Sequence, residues 1–197
     1  MEIRAPADAT EPPEVFERNM AVGGRIAAAA IAFFFIAFLF GFFYLRALNT
    51  NGKWNQHGLD PGQAWGLPIF LCVIGSVGLV SAAVWSLRRD ASLWRPCSLA
   101  ALAVGVAAVV LQSIQYTQLA FGPADGGYAS VFVGWTGLYA VFLLGVLYWL
   151  ETQVAQTLRE GDAALPSILP SAEALRLVWV VLGLVGLAAY ILLYLVR

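Results

Sequence analysis

A few amide and hydroxyl side chains lie inside otherwise apolar segments, and they are the groups of this chain that could do chemistry in an apolar surrounding. Gln112, Gln115 and Tyr116 lie near the end of one such segment, and Ser130 and Thr136 lie early in the next. Where water is absent, such groups hydrogen-bond across helices. They could instead bind a lipid headgroup or a small ligand near the end of the first segment. The sequence leaves both interpretations open.

Charged side chains, which usually mark function inside a membrane, are absent from the middle of every apolar segment. His57 is the only histidine and falls in a polar loop, and Cys72 and Cys97 are the only cysteines. The chain therefore has no histidine pair for haem, no Cys/His cluster for a metal and no nucleophile beside a base. We expect no catalytic, cofactor-binding or metal-binding residue on this chain. Its formal net charge of −1 gives no argument for nucleic acid.

The composition indicates an integral membrane protein. Of the 197 residues, 60% are hydrophobic and 12% are charged, against about 25% charged in ordinary soluble domains. We predict an all-α bundle of five transmembrane helices, because each apolar segment is long enough to cross the hydrocarbon layer. The predicted spans are residues 24–45, 64–87, 96–119, 127–151 and 171–196. They form one domain, 23–197, after a polar, acidic N-terminal tail, 1–22.

The distribution of Lys and Arg predicts the orientation of these spans. Eight of the basic residues fall on the side of the N-terminus and three fall on the opposite side. The first set is Arg4, Arg18, Arg25, Arg88, Arg89, Arg95, Arg159 and Arg176, and the second is Arg46, Lys53 and Arg197. Because cytoplasmic loops carry the excess of basic residues, we expect the N-terminus in the cytoplasm and the C-terminus outside.

Small residues at helical spacing predict where the spans pack. Helices in lipid associate through close backbone approach, so small residues mark their interfaces. The stripe on span three is Ala101, Gly105, Ala108, Gln112 and Gln115, and the stripe on span four is Ser130, Gly134, Gly137, Val141 and Gly145. The two stripes predict a tightly packed antiparallel hairpin of spans three and four. Gly183 and Gly186 lie on the predicted contact face of span five.

The region 109–145 contains three motifs, which are Gln112 with Gln115-Tyr116, then Tyr128-Ala129-Ser130-Val131-Phe132, and then Thr136-Gly137-Leu138-Tyr139-Ala140-Val141-Phe142. With these motifs the region resembles subunit III of the haem–copper terminal oxidases (cytochrome c oxidases), in its short five-helix bacterial form. The chain departs from the family at its polar positions. Gln115 stands where the family has a glutamate, and Tyr139 and Phe142 stand where it has histidines. The resemblance therefore implies a divergent member of this family.

The resemblance implies an accessory, non-catalytic subunit in the inner membrane of a bacterium. Its partners would be the catalytic subunit I, which holds the haem and copper, and the other oxidase subunits. It would support oxygen reduction and aerobic electron transport. One alternative is an accessory subunit of a nitric oxide reductase system. Another is a stand-alone membrane transporter or lipid-binding protein.

The resemblance also implies a bound phospholipid, in a groove between spans one and two and spans three to five. The Phe-rich first span and the polar end of span three supply candidate residues for this groove. They are Phe33, Phe34, Phe38, Gln115 and Tyr116, with Arg25 and Arg46 available to headgroups at opposite ends.

Overall fold

The computed structural model describes residues 12–49, 52, 54–55, 59–89 and 91–196, with only the backbone of Pro13. The described residues form helices and connecting loops, and no strand occurs among them. The five long α-helices are α1 (Pro13–Ala47), α2 (Gln63–Leu87), α3 (Trp94–Gln118), α4 (Gly127–Glu160) and α5 (Leu165–Tyr190). A short 3-10 turn, Gly161–Ala164, connects α4 to α5, and a π-helical segment, Ile191–Val196, extends α5. The all-α prediction is confirmed.

Four continuous helical segments in the described chain are long and apolar enough to cross a membrane. They are Glu14–Ala47, Gln63–Leu87, Trp94–Gln118 and Gly127–Val196, the last of 70 residues. The sequence predicts five separate spans with a linker between the last two, and the structure differs because this linker is itself helical. Pro166 lies in the first turn of α5, where a helix tolerates proline.

The first helix begins earlier than predicted. α1 starts at Pro13, inside the segment expected to be a tail, and residues 1–11 lie outside the described part. Proline fits the first turn of a helix because it has no N–H to leave unpaired, and Glu14 there favours the positive helix end. The added turns extend α1 beyond its apolar part, which begins after Arg25.

The last two long helices pack antiparallel inside the 70-residue segment. The hydroxyl of Tyr128 donates to the backbone carbonyl of Leu193 at 2.6 Å, and that of Tyr139 donates to the carbonyl of Leu182 at 2.9 Å. Residues later in α4 thus contact residues earlier in α5 and its extension, as expected for antiparallel helices. The chain reverses at Gly161, whose φ of +69° and ψ of −148° are accessible essentially to glycine alone.

α5 also packs antiparallel against α2, through glycines on both helices. A Cβ atom on Gly66 would overlap the ring of Tyr194, and one on Gly183 would lie 2.9 Å from Cγ2 of Val77. The backbones therefore approach each other where no side chain intervenes. α2 in turn packs along α3, and the hydroxyl of Ser76 donates to the carbonyl of Ala101 at 2.9 Å.

α1 packs against α5 and α4, and it forms no extended contact with α2 among the described residues. A Cβ atom on Gly24 would lie 2.9 Å from Cα of Ala174 on α5, and Phe38 covers Gly134 on α4. The predicted division into spans one and two against spans three to five is therefore wrong. α5 lies between α1 and α2, because Gly24 of α1 allows close approach to Ala174 and Gly183 of α5 allows close approach to α2.

Charged residues lie at the two ends of this bundle. We call one end of the bundle the arginine end. It is the end at which α1, α3 and α5 begin and α2 and α4 end. Its described arginines are Arg18, Arg25, Arg88, Arg89, Arg95, Arg159 and Arg176. The opposite end has Arg46 among the described residues, with Asp60 and Asp125. The middle part of each of the five long helices contains no charged residue.

Candidate functional site

Gln115 is the centre of a buried polar cluster at the opposite end of the bundle. Its side-chain amide donates to the carbonyl of Pro61 at 2.8 Å. Its oxygen accepts from Gln112 at 2.9 Å and from the hydroxyl of Tyr194 at 3.0 Å. Gln115 is only 1% exposed, and Tyr194 is 4% exposed. The cluster therefore connects α3, the end of the α5 segment and the loop before α2, and no headgroup reaches the Gln115 oxygen.

Tyr116 forms a second polar contact, between α3 and α4. Its hydroxyl lies 2.6 Å from Oγ1 of Thr136. The Thr136 hydroxyl donates to the carbonyl of Phe132 at 2.6 Å, so its oxygen is available to accept from Tyr116. Gln115 and Tyr116, two of the polar side chains for which the sequence left packing and ligand binding open, thus both hydrogen-bond to other segments of the bundle.

Two side chains to which the sequence analysis gave no role hydrogen-bond to the backbone of the π-helical segment after α5. The last carbonyls of a helix lack partners within it. The Tyr128 hydroxyl donates to the carbonyl of Leu193, and the Gln63 amide donates to that of Tyr194 at 3.3 Å. The signal that could have revealed this contact is the tyrosine at position 128, early in the predicted span four. A tyrosine hydroxyl that is buried, as that of Tyr128 is, usually has a hydrogen-bond partner.

The small-residue stripe of α3 is buried along its length. Ala101, Gly105, Ala108 and Gln112 are all buried. A Cβ atom on Gly105 would lie 2.6 Å from Cδ2 of Leu147 on α4 and 3.3 Å from Oγ of Ser76 on α2. This stripe therefore faces both neighbours of α3, and it is shared between α2 and α4.

The small-residue stripe of α4 does not form one interface. Gly137 lies against the Tyr116 hydroxyl, and Gly134 lies against Phe38 of α1. Ser130 is exposed and donates to the carbonyl of Pro123, while Gly145 is exposed with nothing near its would-be Cβ. The packing role predicted for Ser130 and Gly145 is wrong. The buried face of α4 consists of large side chains instead, among them Phe132, Trp135, Tyr139, Leu143 and Leu150.

The lipid-binding candidates do not line one groove. Phe33 is 73% exposed, whereas Phe34 and Phe38 pack among the rings of α1 and α4. Gln115 is enclosed, and Tyr116 bonds to α4, as described above. Arg46 lies over the Phe42 ring, 5.8 Å from its centroid, at the opposite end from Arg25. The predicted groove is therefore not formed, because α1 and α2 are not neighbours.

Arg25, one of the lipid candidates, lines a large cavity. A cavity of about 620 Å³ lies between α1 and α5 at the arginine end, and Arg18 and Arg176 line it as well. A second cavity, of about 650 Å³, adjoins it between α1, α4 and α5. Metal chemistry has no basis in the described residues, where no group of three or more His, Cys, Asp or Glu side chains comes together. His57 lies outside the described residues.

Comparison of the whole chain with models of protein families and with curated proteins finds no match. The long apolar helices indicate a multi-pass membrane protein.

Proposed function

We propose that this chain is an accessory, non-catalytic subunit of a haem–copper respiratory oxidase, divergent from the usual subunit III. The proposal is supported mainly by the hydrogen bonds that the residues of the resembling motifs form. Gln112, Gln115, Tyr116, Thr136 and Tyr139 all hydrogen-bond within the bundle. These positions keep a structural role although the glutamate and histidines of the family are replaced.

The catalytic work belongs, in this proposal, to a partner. The described residues offer no histidine pair for haem and no ligand cluster for copper. The haem and copper are held by the catalytic subunit I, and this chain packs beside it and the other oxidase subunits. It supports oxygen reduction and aerobic electron transport in the inner membrane of a bacterium.

The proposed topology has five crossings with the N-terminus in the cytoplasm. It is supported by the antiparallel pairing of α4 and α5, which places Gly127 and Val196 at the same end of the bundle. A straight helix of 70 residues would be about 105 Å long, several times the hydrocarbon thickness of about 30 Å. The excess of arginine at the end where α1 begins supports a cytoplasmic location for that end.

The outer face of α1 is the proposed contact with the catalytic subunit. Phe33, Ile36, Phe40 and Tyr44 are each more than half exposed in the isolated chain. Aromatic rings on this face offer large contact areas to a helical partner.

Copurification tests the proposal. The tagged chain would be isolated from native membranes in mild detergent, and the reduced-minus-oxidised spectrum of the eluate recorded before and after separation of the subunits. We expect haem in the complex and none on the separated chain. A stoichiometric haem band on this chain alone would contradict the non-catalytic assignment.

The same preparation separates the alternatives. Consumption of nitric oxide but not oxygen by the complex would favour the accessory subunit of a nitric oxide reductase. A haem-free chain that elutes alone would favour a transporter or lipid-binding protein.

A further inference from the structure

The cavity between α1 and α5 at the arginine end lies beside a close contact of the two helices. α1 and α5 touch beside it at Gly24 and Ala174, where a Cβ atom on Gly24 would lie 2.7 Å from that of Ala174. Such close backbone packing at small residues is typical of interfaces between transmembrane helices. The charged residues that line the cavity are Glu14, Glu17, Arg18, Arg25, Glu173 and Arg176.

The arginines of this cavity have no acceptor among the described residues. Neither Arg18, Arg25 nor Arg176 forms an ion pair or a side-chain hydrogen bond with another described residue. The Nε atom of Arg176 is buried and lacks a hydrogen-bond partner. A buried donor without an acceptor costs free energy. Guanidinium groups bind phosphate through paired charge-assisted hydrogen bonds, so the unpaired arginines that line the cavity are suited to bind an anion.

The carboxylates on the cavity wall do not cancel this charge. Glu173 is already paired with Arg88, at 2.7 Å. Glu14 and Glu17 remain and are exposed. Three arginines against two unpaired carboxylates leave a net charge of +1 at the cavity.

The surface next to the cavity is apolar on the side that leads into the membrane. Leu177 lines the cavity and is 39% exposed, and Leu184, two turns further along α5, is 61% exposed. On α1, Ile26 follows Arg25 directly and is 65% exposed. An anion carried on an acyl chain would therefore find a charged cavity and an adjoining apolar surface together.

We propose that this cavity binds the phosphate headgroup of an anionic phospholipid, with Arg176 and Arg25 as its main ligands and the acyl chains along Ile26 and Leu177. Basic pockets between transmembrane helices near the cytoplasmic surface are typical of such binding. The proposal requires the membrane location of the chain and is independent of the oxidase assignment.

Native mass spectrometry of the purified full-length protein in mild detergent tests the proposal. Phosphatidylglycerol and phosphatidylcholine would be titrated separately, and the bound fraction of each measured. We expect phosphatidylglycerol to bind more tightly, and Arg176→Gln to weaken it about tenfold, equivalent to about 1.4 kcal/mol. The exposed Arg25→Gln should act in the same direction, which covers the case that Arg176→Gln folds poorly.

The matched control is Arg159→Gln, which removes the same charge from the same end of the bundle. Arg159 is exposed and does not line the cavity, so its loss should leave lipid binding unchanged. Equal losses for Arg25→Gln, Arg176→Gln and Arg159→Gln would overturn the proposal, since they would show attraction by overall charge alone.

Two further measurements distinguish the ligand. Glu17→Gln should tighten phosphatidylglycerol binding, because it removes a carboxylate from the cavity wall, and no merely structural role predicts this gain. Inorganic phosphate at millimolar concentration should neither stabilise the protein nor displace phosphatidylglycerol. Displacement by phosphate, or weaker lipid binding by Glu17→Gln, would overturn the lipid assignment in favour of a free anion or a packing role.

Discussion

Single polar side chains hold this bundle together where apolar contacts alone would give little direction. Gln115 satisfies a carbonyl of the loop before α2 and a hydroxyl at the chain end at the same time. Because the cluster is buried, a polar group left there without a hydrogen bond would cost free energy. A residue that could bind a ligand in another setting therefore has a structural role here.

Gln115→Leu should destabilise the protein by about 1–3 kcal/mol, because it removes buried hydrogen bonds to the Pro61 carbonyl and the Tyr194 hydroxyl. Thermal unfolding in mild detergent, followed by tryptophan fluorescence, measures this loss. Gln118→Leu is the control, since Gln118 is exposed on the same helix and should change the midpoint little. Equal midpoints for the two variants would show that the cluster contributes nothing to stability.

The predictive value of the sequence differed from residue to residue. The burial of Ala101, Gly105, Ala108, Gln112 and Gln115 follows from their spacing on α3, and the structure agrees. The same logic fails on α4, where Ser130 and Gly145 are exposed. Small size permits close packing but does not require it, and the aromatic rings of Trp135 and Tyr139 fill the α4 interface instead. The partners of each stripe depend on contacts distant in sequence, which periodicity does not specify.

At the scale of the helices, glycine contacts determine which pairs of helices approach closely. Gly183 and Gly186 on α5 face α2 and α4, where a Cβ atom would meet Val77 at 2.9 Å and the Tyr139 hydroxyl at 2.7 Å. Both glycines were identifiable from the sequence as a contact face. Their partners were not, because the order of helices around α5 is a property of the folded chain.

Gly183→Ala should destabilise the α2–α5 packing by about 1–3 kcal/mol, since the stiff side chain of Val77 cannot move aside freely. Gly78→Ala on α2 is the control, because a Cβ atom there meets nothing within 4 Å. Melting midpoints in detergent compare the two. A fall in both would point to a general effect of glycine replacement rather than to this contact.

Gly161→Ala should cost about 1–3 kcal/mol, because its backbone dihedral angles are unfavourable for any side chain. The expected result is a lower melting midpoint with an unchanged helical content by circular dichroism. Gly23→Ala serves as the control, since Gly23 lies in regular helix with open space at its Cβ position. An unaltered midpoint for Gly161→Ala would mean that the chain does not reverse at this residue.

At the scale of the whole molecule, the alternating helix directions place the loops at two ends of different charge. Single cysteines, introduced after replacing Cys72 and Cys97 by alanine, report which loops are accessible from outside the cell. We expect a membrane-impermeant maleimide to label Ala124→Cys but neither Ser92→Cys nor Ala163→Cys. Labelling of Ala163→Cys from outside would rule out the proposed return of the chain between α4 and α5.

The position of α1 has a consequence for the order of assembly during synthesis. α1 leaves the ribosome before its partners α4 and α5, whereas α2 and α3 are consecutive and can pair as soon as both are inserted. Domains tend to fold from the N-terminus as they are made, and distant contacts form slowly. α1 therefore remains unpaired in the bilayer, with its aromatic face in contact with lipids or with an insertion factor, until α4 and α5 are inserted and pack against it.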